Sequence, residues 1–495
     1  MPVSDCVDLL VIGGGINGTG IARDAAGRGL SVALVEQSDL AAATSSASTK
    51  LIHGGLRYLE FFEFRLVRES LTERERLLAI APHLVRPLQF VLPHVAMLRP
   101  RWQIRLGLFF YDHMGGRRKL PASRAVEFGH GTYAGALQPG MRYGFSYSDC
   151  WVDDSRLVVL NALDAAQRGA TVHTRTRFQS ATFEAGAWRA ACEKRTGEKL
   201  ELRARAIVNA AGPWVETVAR AVPCARTEAQ VRLVKGSHIV VPTLYRGEHA
   251  FLLQNPDGRV VFAIPYEEHF TLIGTTDIPF DGDPARVAIS PEEVQYLCRS
   301  SNAYFRKQVT AADVRWSYAG VRPLFDDETA NASRVTRDYK LELSHDHDGR
   351  VALSVFGGKL TTYRRLAEQA VDKLRVPLGA TQGPWTARAP LPGGDLPQAD
   401  FGAFLASVRR RWSFLPESLA LRLARAYGTR IEKVLGASRH MMDLGDEYGA
   451  GLTQAEVAYL KRAEWAQEAD DVLWRRTKVG LHMSAAQRER VARDF

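Results

Sequence analysis

An apolar run near the start of this chain leads straight into a glycine-rich turn. Residues 9–18 read L-L-V-I-G-G-G-I-N-G, with the glycines in G-x-G-x-x-G spacing. In a dinucleotide-binding turn each of these glycines has its own task. Gly13 permits the tight turn, Gly15 lets a pyrophosphate approach the backbone, and Gly18 lets the next helix lie close to the strand. This segment predicts the start of a βαβ nucleotide-binding unit.

The residues that follow complete the unit. Residues 19–29 have the pattern of a helix, and residues 31–35 that of a second strand, which ends at Glu36. The helix N-terminus would offer unpaired N–H groups and a partial positive charge to phosphates. Glu36 follows Gly18 by eighteen residues, where an acid is placed to accept hydrogen bonds from adenosine ribose hydroxyls. Together these features predict a dinucleotide site without deciding between NAD and FAD.

Two later glycine turns favour FAD. An apolar strand at residues 206–209 runs into Ala211 and Gly212, and another at residues 351–356 runs into Gly357 and Gly358. An NAD dehydrogenase normally keeps its nucleotide domain contiguous, whereas the longer FAD is surrounded by turns from distant parts of a chain. We therefore expect one parallel sheet built from distant segments; the alternative is that the later turns only connect strands.

Between these segments the spacing of apolar residues changes to a period of two, which is typical of strands. Residues 231–241, 251–253, 259–265 and 270–274 read as strands of an antiparallel sheet. The expected fold class is α/β (α+β), with a Rossmann-like FAD-binding domain, an inserted antiparallel-sheet substrate domain and a C-terminal helical cap domain. The expected boundaries are 1–80, 145–230 and 350–376 for the FAD-binding domain, 81–144 and 231–349 for the substrate domain, 377–397 for a linker and 398–495 for the cap domain.

Composition narrows the choice of partners. The 495 residues allow two or three domains, and the 46% hydrophobic share is that of an ordinary globular protein. The five cysteines form no C-x-x-C pair, which favours reduced thiols in a cytosolic protein and predicts no metal site. We expect no spanning segment, signal peptide or nucleic-acid module. The net charge of +10 then indicates a phosphate substrate or an anionic membrane surface, unless it reflects only arginine-rich codon usage.

Motifs along nearly the whole chain resemble one flavoprotein family. They lie at residues 13–18, 44–46, 50–60, 147–154, 209–214, 235–238, 274–277, 320–324, 335–339, 356–363 and 473–481. The most specific are H-G-G-L-R-Y-L-E at residues 53–60 and G-G-K-L-T-T-Y at residues 357–363. With these motifs the chain resembles the FAD-dependent glycerol-3-phosphate dehydrogenases, which belong to the glycine-oxidase and D-amino-acid-oxidase-like flavoproteins.

The resemblance implies a cofactor, a reaction and an acceptor. These are non-covalent FAD, the oxidation of sn-glycerol 3-phosphate to dihydroxyacetone phosphate, and a membrane quinone that receives the electrons. The residues expected to bind FAD are Gly13, Gly14, Gly15, Asn17, Gly18, Glu36, Thr44, Ser45, Ser46, Gly54, Gly55, Ala211, Gly212, Gly357, Gly358, Lys359, Leu360 and Thr361.

Four cations stand in these motifs where they could bind the phosphate. A phosphate dianion needs charge-assisted, preferably bidentate donors, which favours arginine. Arg57, Arg322, Arg337 and Lys359 each lie beside a glycine turn or at the end of a strand. A solvated arginine is the default elsewhere in this arginine-rich chain.

The alcohol hydroxyl requires a base, because its proton leaves as the hydride leaves C2. Histidine has a suitable pKa at neutral pH, and His53 and His238 are the candidates, with the choice between them open. Arg322 is expected beside them in the catalytic set. Tyr58 and Thr276 are expected to form hydrogen bonds with substrate hydroxyls.

Residues 98–119 combine apolar and basic side chains in a way that suits a peripheral membrane contact. The apolar members are Trp102, Ile104, Leu106, Leu108, Phe109, Phe110 and Tyr111. The alternative is a buried amphipathic helix. We expect a cytoplasmic protein, peripheral on the inner face of the cell membrane, and a homodimer through the cap domain stays open.

Three other functions remain as alternatives. An oxidase of the same family would give its electrons to oxygen and form peroxide. A non-catalytic flavin-binding protein would hold FAD that glycerol 3-phosphate does not bleach. An NAD-dependent enzyme is the most distant alternative.

Overall fold

A computed structural model describes residues 6–95, 100–115, 119–224, 230–325 and 338–495. Its strands are β1 (Val7–Ile12), β2 (Val32–Val35), β3 (Leu51–Ile52), β4 (Val85–Pro93), β5 (Arg124–Glu127), β6 (Tyr143–Val152), β7 (Thr171–His173), β8 (Thr176–Glu184), β9 (Ala187–Lys194), β10 (Lys199–Asn209), β11 (Val231–Pro242), β12 (Ala250–Gln254), β13 (Val260–Tyr266), β14 (Phe270–Gly274), β15 (Ile278–Pro279), β16 (Trp316–Phe325), β17 (Tyr339–His345), β18 (Val351–Gly357), β19 (Glu447–Gly449) and β20 (Leu452–Thr453).

The α-helices follow the order expected for two sheets with crossovers and a helical C-terminal region. They are α1 (Ile16–Gly27), α2 (Phe64–Ile80), α3 (Arg101–Met114), α4 (Asp154–Gln167), α5 (Val215–Arg220), α6 (Pro291–Asn302), α7 (Tyr363–Leu378), α8 (Phe401–Arg411), α9 (Glu417–Tyr427), α10 (Ile431–Leu435), α11 (Gln454–Ala463) and α12 (Ala485–Ala492).

The first sheet joins segments from distant parts of the chain. Its strand order is β17-β18-β10-β1-β2-β7, and β1 runs parallel to both β2 and β10. β18 is parallel to β10 and brings residues near 350 back beside the N-terminal strand. The central strands are continuous apolar runs, because a parallel sheet is covered on both faces. The expectation of a discontinuous parallel sheet is confirmed.

Different layers cover the two faces of the first sheet. Residues of α1, α4 and α7 pack into one apolar core on one face. A hairpin of β8 and β9 contributes to the core of the other face, where the fully buried Trp188 donates a hydrogen bond to the carbonyl of Val351 (2.9 Å). This hairpin is not predicted by the sequence pattern, because its strands read as a polar, charge-rich stretch.

The second sheet contains the strands with the period of two. Its order is β15-β11-β14-β13-β12-β4-β6-β3, with β16 on the other edge of β11 and β5 paired with β6. The predicted antiparallel strands at residues 231–274 are confirmed. β6 pairs along its length with β4, so residues 145–152 lie in this sheet although the expected boundary assigns them to the FAD-binding domain. The boundary differs because β6 leads the chain from one sheet to the other.

The C-terminal region has its own core, formed by α8 to α12 and the β19–β20 hairpin. The stretch between α7 and α8, expected as a linker, packs against the first domain. Trp385 donates a hydrogen bond to the carbonyl of Asp24 (3.1 Å), and Leu391 is buried in the core beneath α1. Within the described residues, no helix is both long and apolar enough to cross a bilayer.

Candidate active site

The first glycine turn has the geometry that its spacing predicts. Gly13 has a φ of +113°, and a Cβ at this position would overlap the carbonyl of Ala210 in the neighbouring strand. A Cβ on Gly18 would overlap the carbonyl of Gly13, so only glycine lets α1 start this close to the turn. Beside Gly15, the Ser45 hydroxyl is the one near neighbour, 3.1 Å from an added Cβ. There is therefore no room for a side chain at Gly13 and Gly18, where the turn meets β10 and α1, whereas the space beside Gly15 is more open.

Glu36 forms hydrogen bonds that hold this turn in place. Its carboxylate accepts hydrogen bonds from the backbone N–H groups of Gly14 (2.6 Å) and Ser38 (2.7 Å). Burial raises the pKa of Glu36, while these two N–H groups oppose that shift. Each carboxylate oxygen has a second lone pair, so both can still accept from ribose hydroxyls.

A loop at residues 44–46 lies at the N-terminus of α1. The Ser45 hydroxyl accepts a hydrogen bond from Ile16 N (3.0 Å), and the Thr44 hydroxyl donates one to the carbonyl of Val321 in β16 (2.5 Å). The carbonyl of Ser46 accepts a hydrogen bond from Lys50 Nζ (3.0 Å). This loop therefore ties the glycine turn to the second sheet.

The other two turns meet the first one. Asn17 Nδ2 donates a hydrogen bond to the carbonyl of Gly357 (3.1 Å), and a Cβ on Gly358 would lie 3.1 Å from the same nitrogen. The N–H of Ala210, which precedes Ala211 and Gly212, donates to the carbonyl of Ile12 (2.9 Å). Three glycine turns thus meet where β1, β10 and β18 end.

These residues fit FAD. The cradle is formed by glycines whose Cβ would collide with backbone, and the buried Oδ1 of Asn17 has no hydrogen-bond partner within the described chain. Turns from three regions can contact a long dinucleotide along its length, as expected. Thr361 and His53 are joined here, because the N–H of His53 donates to the Thr361 hydroxyl (3.1 Å).

The motif at residues 53–60 lies next to the third turn. Gly54 N donates a hydrogen bond to the Tyr111 hydroxyl (2.8 Å), and Gly55 has a φ of +78°. Lys359 Nζ lies 3.7 Å from the centroid of the Tyr58 ring, a cation–π contact. The structure therefore brings His53, Tyr58 and Lys359 to the same region. Leu360, also expected at the cofactor, is half-buried in the same turn.

The Arg57 guanidinium is half-buried in this motif and lies 5.9 Å from the centroid of the Phe61 ring. Arg337 falls outside the described residues, so its expected phosphate contact stays a prediction.

His238 and Arg322 lie on one face of the second sheet. In the register of β11 and β16, His238 is opposite Tyr318 and Val234 is opposite Arg322. Alternate residues of a strand share a face, so His238, Tyr318 and Arg322 project to the same side. A Cβ on Gly320, between the last two, would meet Ala47 at 2.6 Å. This face of the second sheet therefore packs against Ala47, which directly follows the loop at residues 44–46 that contacts the N-terminus of α1.

His238 is held as a neutral ring. It is fully buried, its Nε2 lies 3.0 Å from the Thr49 hydroxyl, and its ring stacks on that of Tyr318. The pKa of His238 is lowered well below its ordinary value by burial first, then by the positive charges of Arg322 and Lys50. Such a ring is neutral at neutral pH and keeps a nitrogen lone pair, but its lowered pKa makes it a weak base.

Arg322 is oriented by two neighbours and by a glycine. Its guanidinium forms an ion pair with Asp277 and donates a hydrogen bond to the Thr275 hydroxyl (2.9 Å). A Cβ on Gly236 would overlap the guanidinium, so Gly236 lets the side chain lie across β11. Arg322 remains partly exposed, at 22% of its side chain.

Thr276 is placed differently from its expected role. It is fully buried, its hydroxyl donates to Glu293 (2.8 Å) and it accepts from the N–H of Ser237 (3.0 Å). These bonds turn the hydroxyl into the core, and Thr275 is the hydroxyl beside Arg322.

Several residues of this region were not identified from sequence. They are Thr49, Lys50, Asp154, Thr275, Asp277 and Tyr318. The one available signal was that Lys50 and Asp277 are charged residues within the motifs at residues 50–60 and 274–277.

The chain was compared with known families and structures. A family model described as FAD dependent oxidoreductase matches residues 8–364, and one for the C-terminal domain of alpha-glycerophosphate oxidase matches residues 384–493. A glycerol-3-phosphate dehydrogenase of Pseudomonas aeruginosa is 56% identical over 99% of this chain and 95% of its own length. A D-erythritol 1-phosphate dehydrogenase of Brucella abortus is 49% identical over 99% of this chain and 97% of its own length.

A solved structure supports the same assignment. The glycerol-3-phosphate dehydrogenase of Bacillus halodurans, complexed with FAD, superposes with a TM-score of 0.75 at 28% identity, covering 99% of this chain and 94% of that one. FAD is thus the cofactor of this protein, which is an oxidoreductase. The chain belongs to the family of FAD-dependent glycerol-3-phosphate dehydrogenases.

Proposed function

We propose that this protein oxidises sn-glycerol 3-phosphate to dihydroxyacetone phosphate and passes the electrons from FAD to a membrane quinone. The observation that carries the proposal is the placement of His238 and Arg322 on one sheet face, against the loop that binds the N-terminus of α1. Bound FAD supplies the hydride acceptor. The protein then has to bind a phosphate, orient C2 and remove one proton.

Phosphate binding falls to the cations of the site. Arg322 is oriented by Asp277 and Thr275 and is partly exposed, while Arg57 and Lys359 lie in the two motifs that meet at the third turn. Arg337 completes the proposed set. An arginine fork can bind two phosphate oxygens at once, which fixes the orientation of the substrate as well as its position.

His238 is the base that the geometry favours. Its ring is neutral, so it can accept the hydroxyl proton, and the nearby charges of Arg322 and Lys50 oppose protonation of the ring. A bound phosphate dianion offsets part of that positive charge, which raises the proton affinity of the ring when substrate is present. His53 remains the second candidate, since it lies in the motif beside Lys359 and Tyr58.

The exposed face of α3 supports a peripheral membrane contact. Leu108 and Tyr111 anchor this helix in the core, whereas Trp102, Phe109 and Phe110 are exposed at 69%, 49% and 46%. Arg101 and Arg105 are exposed on the same helix, and Arg117 and Arg118 fall outside the described residues. Aromatic side chains beside arginines suit the headgroup region of an anionic bilayer, on the inner face of the cell membrane.

Vesicle binding tests the membrane contact. Trp102→Ser/Phe109→Ser should reduce co-sedimentation with phosphatidylglycerol-containing vesicles at least tenfold, while Met442→Ser, at another exposed site of 81%, should bind like the wild type. Charge reversal at Arg101 and Arg105 should weaken binding to anionic vesicles only. Unchanged binding of both variants would contradict the contact.

Anaerobic mixing tests the reaction and the substrate. Glycerol 3-phosphate should bleach the flavin absorbance bands, and a quinone analogue should restore them. D-Erythritol 1-phosphate is a second candidate substrate, because a relative at 49% identity carries that name, and it is mixed in parallel. Faster bleaching by the erythritol ester would reassign the substrate, stoichiometric peroxide in air would identify an oxidase, and no bleaching by either would contradict the function.

A further inference from the structure

The first and the last residue of the segment that follows β2 both form hydrogen bonds with the first glycine turn. We call this segment, residues 36–41, the acid loop. Its first residue, Glu36, accepts a hydrogen bond from Gly14 N (2.6 Å), and its last, Ala41, donates one from its N–H to the carbonyl of Gly14 (3.1 Å). A displacement of the acid loop would therefore move Gly14 directly.

The C-terminal domain binds the middle of the acid loop. Asp39 accepts hydrogen bonds from Arg476 Nη1 (2.7 Å) and Nη2 (2.8 Å), a bidentate pair, and from Arg475 Nε (2.6 Å). Asp39 is 2% exposed and Arg476 is fully buried. Burial alone would raise the pKa of Asp39, but Arg476 and Arg475 hold it below its ordinary value.

A second connection closes a ring around the acid loop. The N–H of Arg175 donates to the carbonyl of Ser38 (2.8 Å), and the Arg175 guanidinium donates to both oxygens of Asp471 (2.8 and 3.0 Å). Asp471 in turn pairs with Arg475. Asp39, Arg475, Asp471, Arg175 and Ser38 thus form one continuous chain of contacts between the domains.

We propose that Arg475 and Arg476 are positioning residues for FAD, which hold the acid loop and the Gly14 turn in the binding conformation through Asp39. Retention of FAD then depends on the docked C-terminal domain. Coupling between two binding events is reciprocal, so bound FAD also holds the C-terminal domain in place. The inference rests on the FAD site and not on the identity of the substrate.

Titration of apoprotein with FAD tests the proposal without any turnover. Asp39→Asn keeps the shape of the side chain and removes the charge that both arginines bind. We expect the Kd for FAD, measured by quenching of flavin fluorescence, to rise at least tenfold. The matched control is Lys478→Met/Asp153→Asn, which removes another buried ion pair between the domains (3.1 Å) and leaves every hydrogen bond of Asp39 in place. The control should melt at a lower temperature with its Kd within twofold of the wild type.

Hydrogen exchange supplies the second readout. Saturating FAD should slow amide exchange at residues 471–481 in the wild type and in the control, but not in Asp39→Asn. If Asp39→Asn does not fold, Arg475→Gln keeps the bidentate Arg476 pair and should raise the Kd by a smaller factor. A wild-type Kd in the folded Asp39→Asn or Arg475→Gln variant overturns the proposal, as does exchange at residues 471–481 that FAD leaves unchanged. Loss of FAD binding in the control to the same degree would also overturn the proposal, because disruption of any ion pair between the domains would then weaken FAD binding.

Discussion

The ring of His238 stacks on the ring of Tyr318, with 4.8 Å between the centroids and 18° between the planes. The two residues are direct partners across β11 and β16. On the Tyr318 ring, Lys50 Nζ makes a cation–π contact at 5.0 Å. The histidine thus has its orientation fixed by the sheet register and its charge state fixed by burial between positive neighbours. This combination allows the base assignment to be tested by kinetics and pH together.

His238→Gln should lower kcat by a factor of about 10² to 10⁴, the usual contribution of a general base. KM should change little, because the proposed phosphate contacts lie elsewhere. Burial lowers the pKa of His238, so the ring stays neutral as pH falls through 6.5, and the acid limb of wild-type kcat/KM should lie below that value. Steady-state rates with an artificial acceptor, normalised to FAD content, measure both effects. A larger loss in His53→Gln than in His238→Gln would move the base role to His53.

Arg322→Lys should lower kcat/KM by about 10- to 100-fold, since a charge-assisted hydrogen bond contributes about 1.5–3 kcal/mol. Lysine keeps the positive charge but cannot form a bidentate pair with phosphate while it also contacts Asp277. The loss should appear mainly in KM, as for a contact made equally in the ground state and the transition state. Arg315→Lys, an exposed arginine just before β16, should remain within twofold of the wild type. Equal values for the two variants would exclude Arg322 from the phosphate site.

The glycine turns and the partners of Arg322 differ in how far sequence could predict them. A turn with positive φ is dictated by a few adjacent residues, so Gly13, Gly357 and Gly358 were identified without a structure. The face that carries Arg322 depends on the pairing of β11 with β16, which begin more than eighty residues apart. No local pattern encodes that register, because it is set by packing of the whole sheet. Tyr318 therefore could not be predicted as a partner of the histidine.

The same reasoning explains why the hydrogen bonds of Thr276 and the buried partner of Lys50 could not be predicted. Two adjacent threonines on an extended chain point to opposite sides, and only the folded sheet decides which hydroxyl faces Arg322. Lys50 reads as an ordinary exposed cation until Asp154, about a hundred residues later, meets it in the core at 3.0 Å.

Lys50→Met should destabilise the protein by about 3–5 kcal/mol, because it leaves the buried carboxylate of Asp154 without its cation. The double variant Lys50→Met/Asp154→Asn should recover most of that loss, since neither charge then remains in the core and an amide oxygen can still accept from the Ser48 hydroxyl (2.7 Å). Chemical denaturation followed by tryptophan fluorescence gives the double-mutant cycle. Lys194→Met, which breaks an exposed pair with Glu198, is the matched control and should shift the midpoint little. A double variant no more stable than Lys50→Met would show that the lysine stabilises through Tyr318 and not through the ion pair.

Gly18→Ala should abolish FAD binding in protein that still expresses. The added methyl group would overlap the carbonyl of Gly13, so either α1 or the turn has to move. Both carry the backbone groups proposed to face the pyrophosphate. Gly383→Ala, where an added Cβ meets nothing within 4 Å, should retain wild-type FAD content. Flavin absorbance per mole of purified protein measures both, and a yellow, fully loaded Gly18→Ala would contradict the close approach.

His83 should make the fold sensitive to acid. It is fully buried between the two domains, and burial, with the charges of Arg156 and Arg425, lowers its pKa to about 3. In the unfolded chain a histidine titrates near 6.5, so below that pH the unfolded state binds one more proton and stability falls by about 1.4 kcal/mol per pH unit. This loss of stability is absent above pH 6.5 and grows as the pH falls towards 3.

Replacing His83 removes its pH-dependent contribution to the free energy of unfolding. Between pH 7 and pH 5 the free energy of unfolding of His83→Leu should fall by about 2 kcal/mol less than that of the wild type, whatever the absolute stability of the variant. His347→Leu, at an exposed loop position, should keep the wild-type pH dependence. Urea denaturation at the two pH values decides the matter: parallel losses in the wild type and His83→Leu would mean that folding does not lower the pKa of His83.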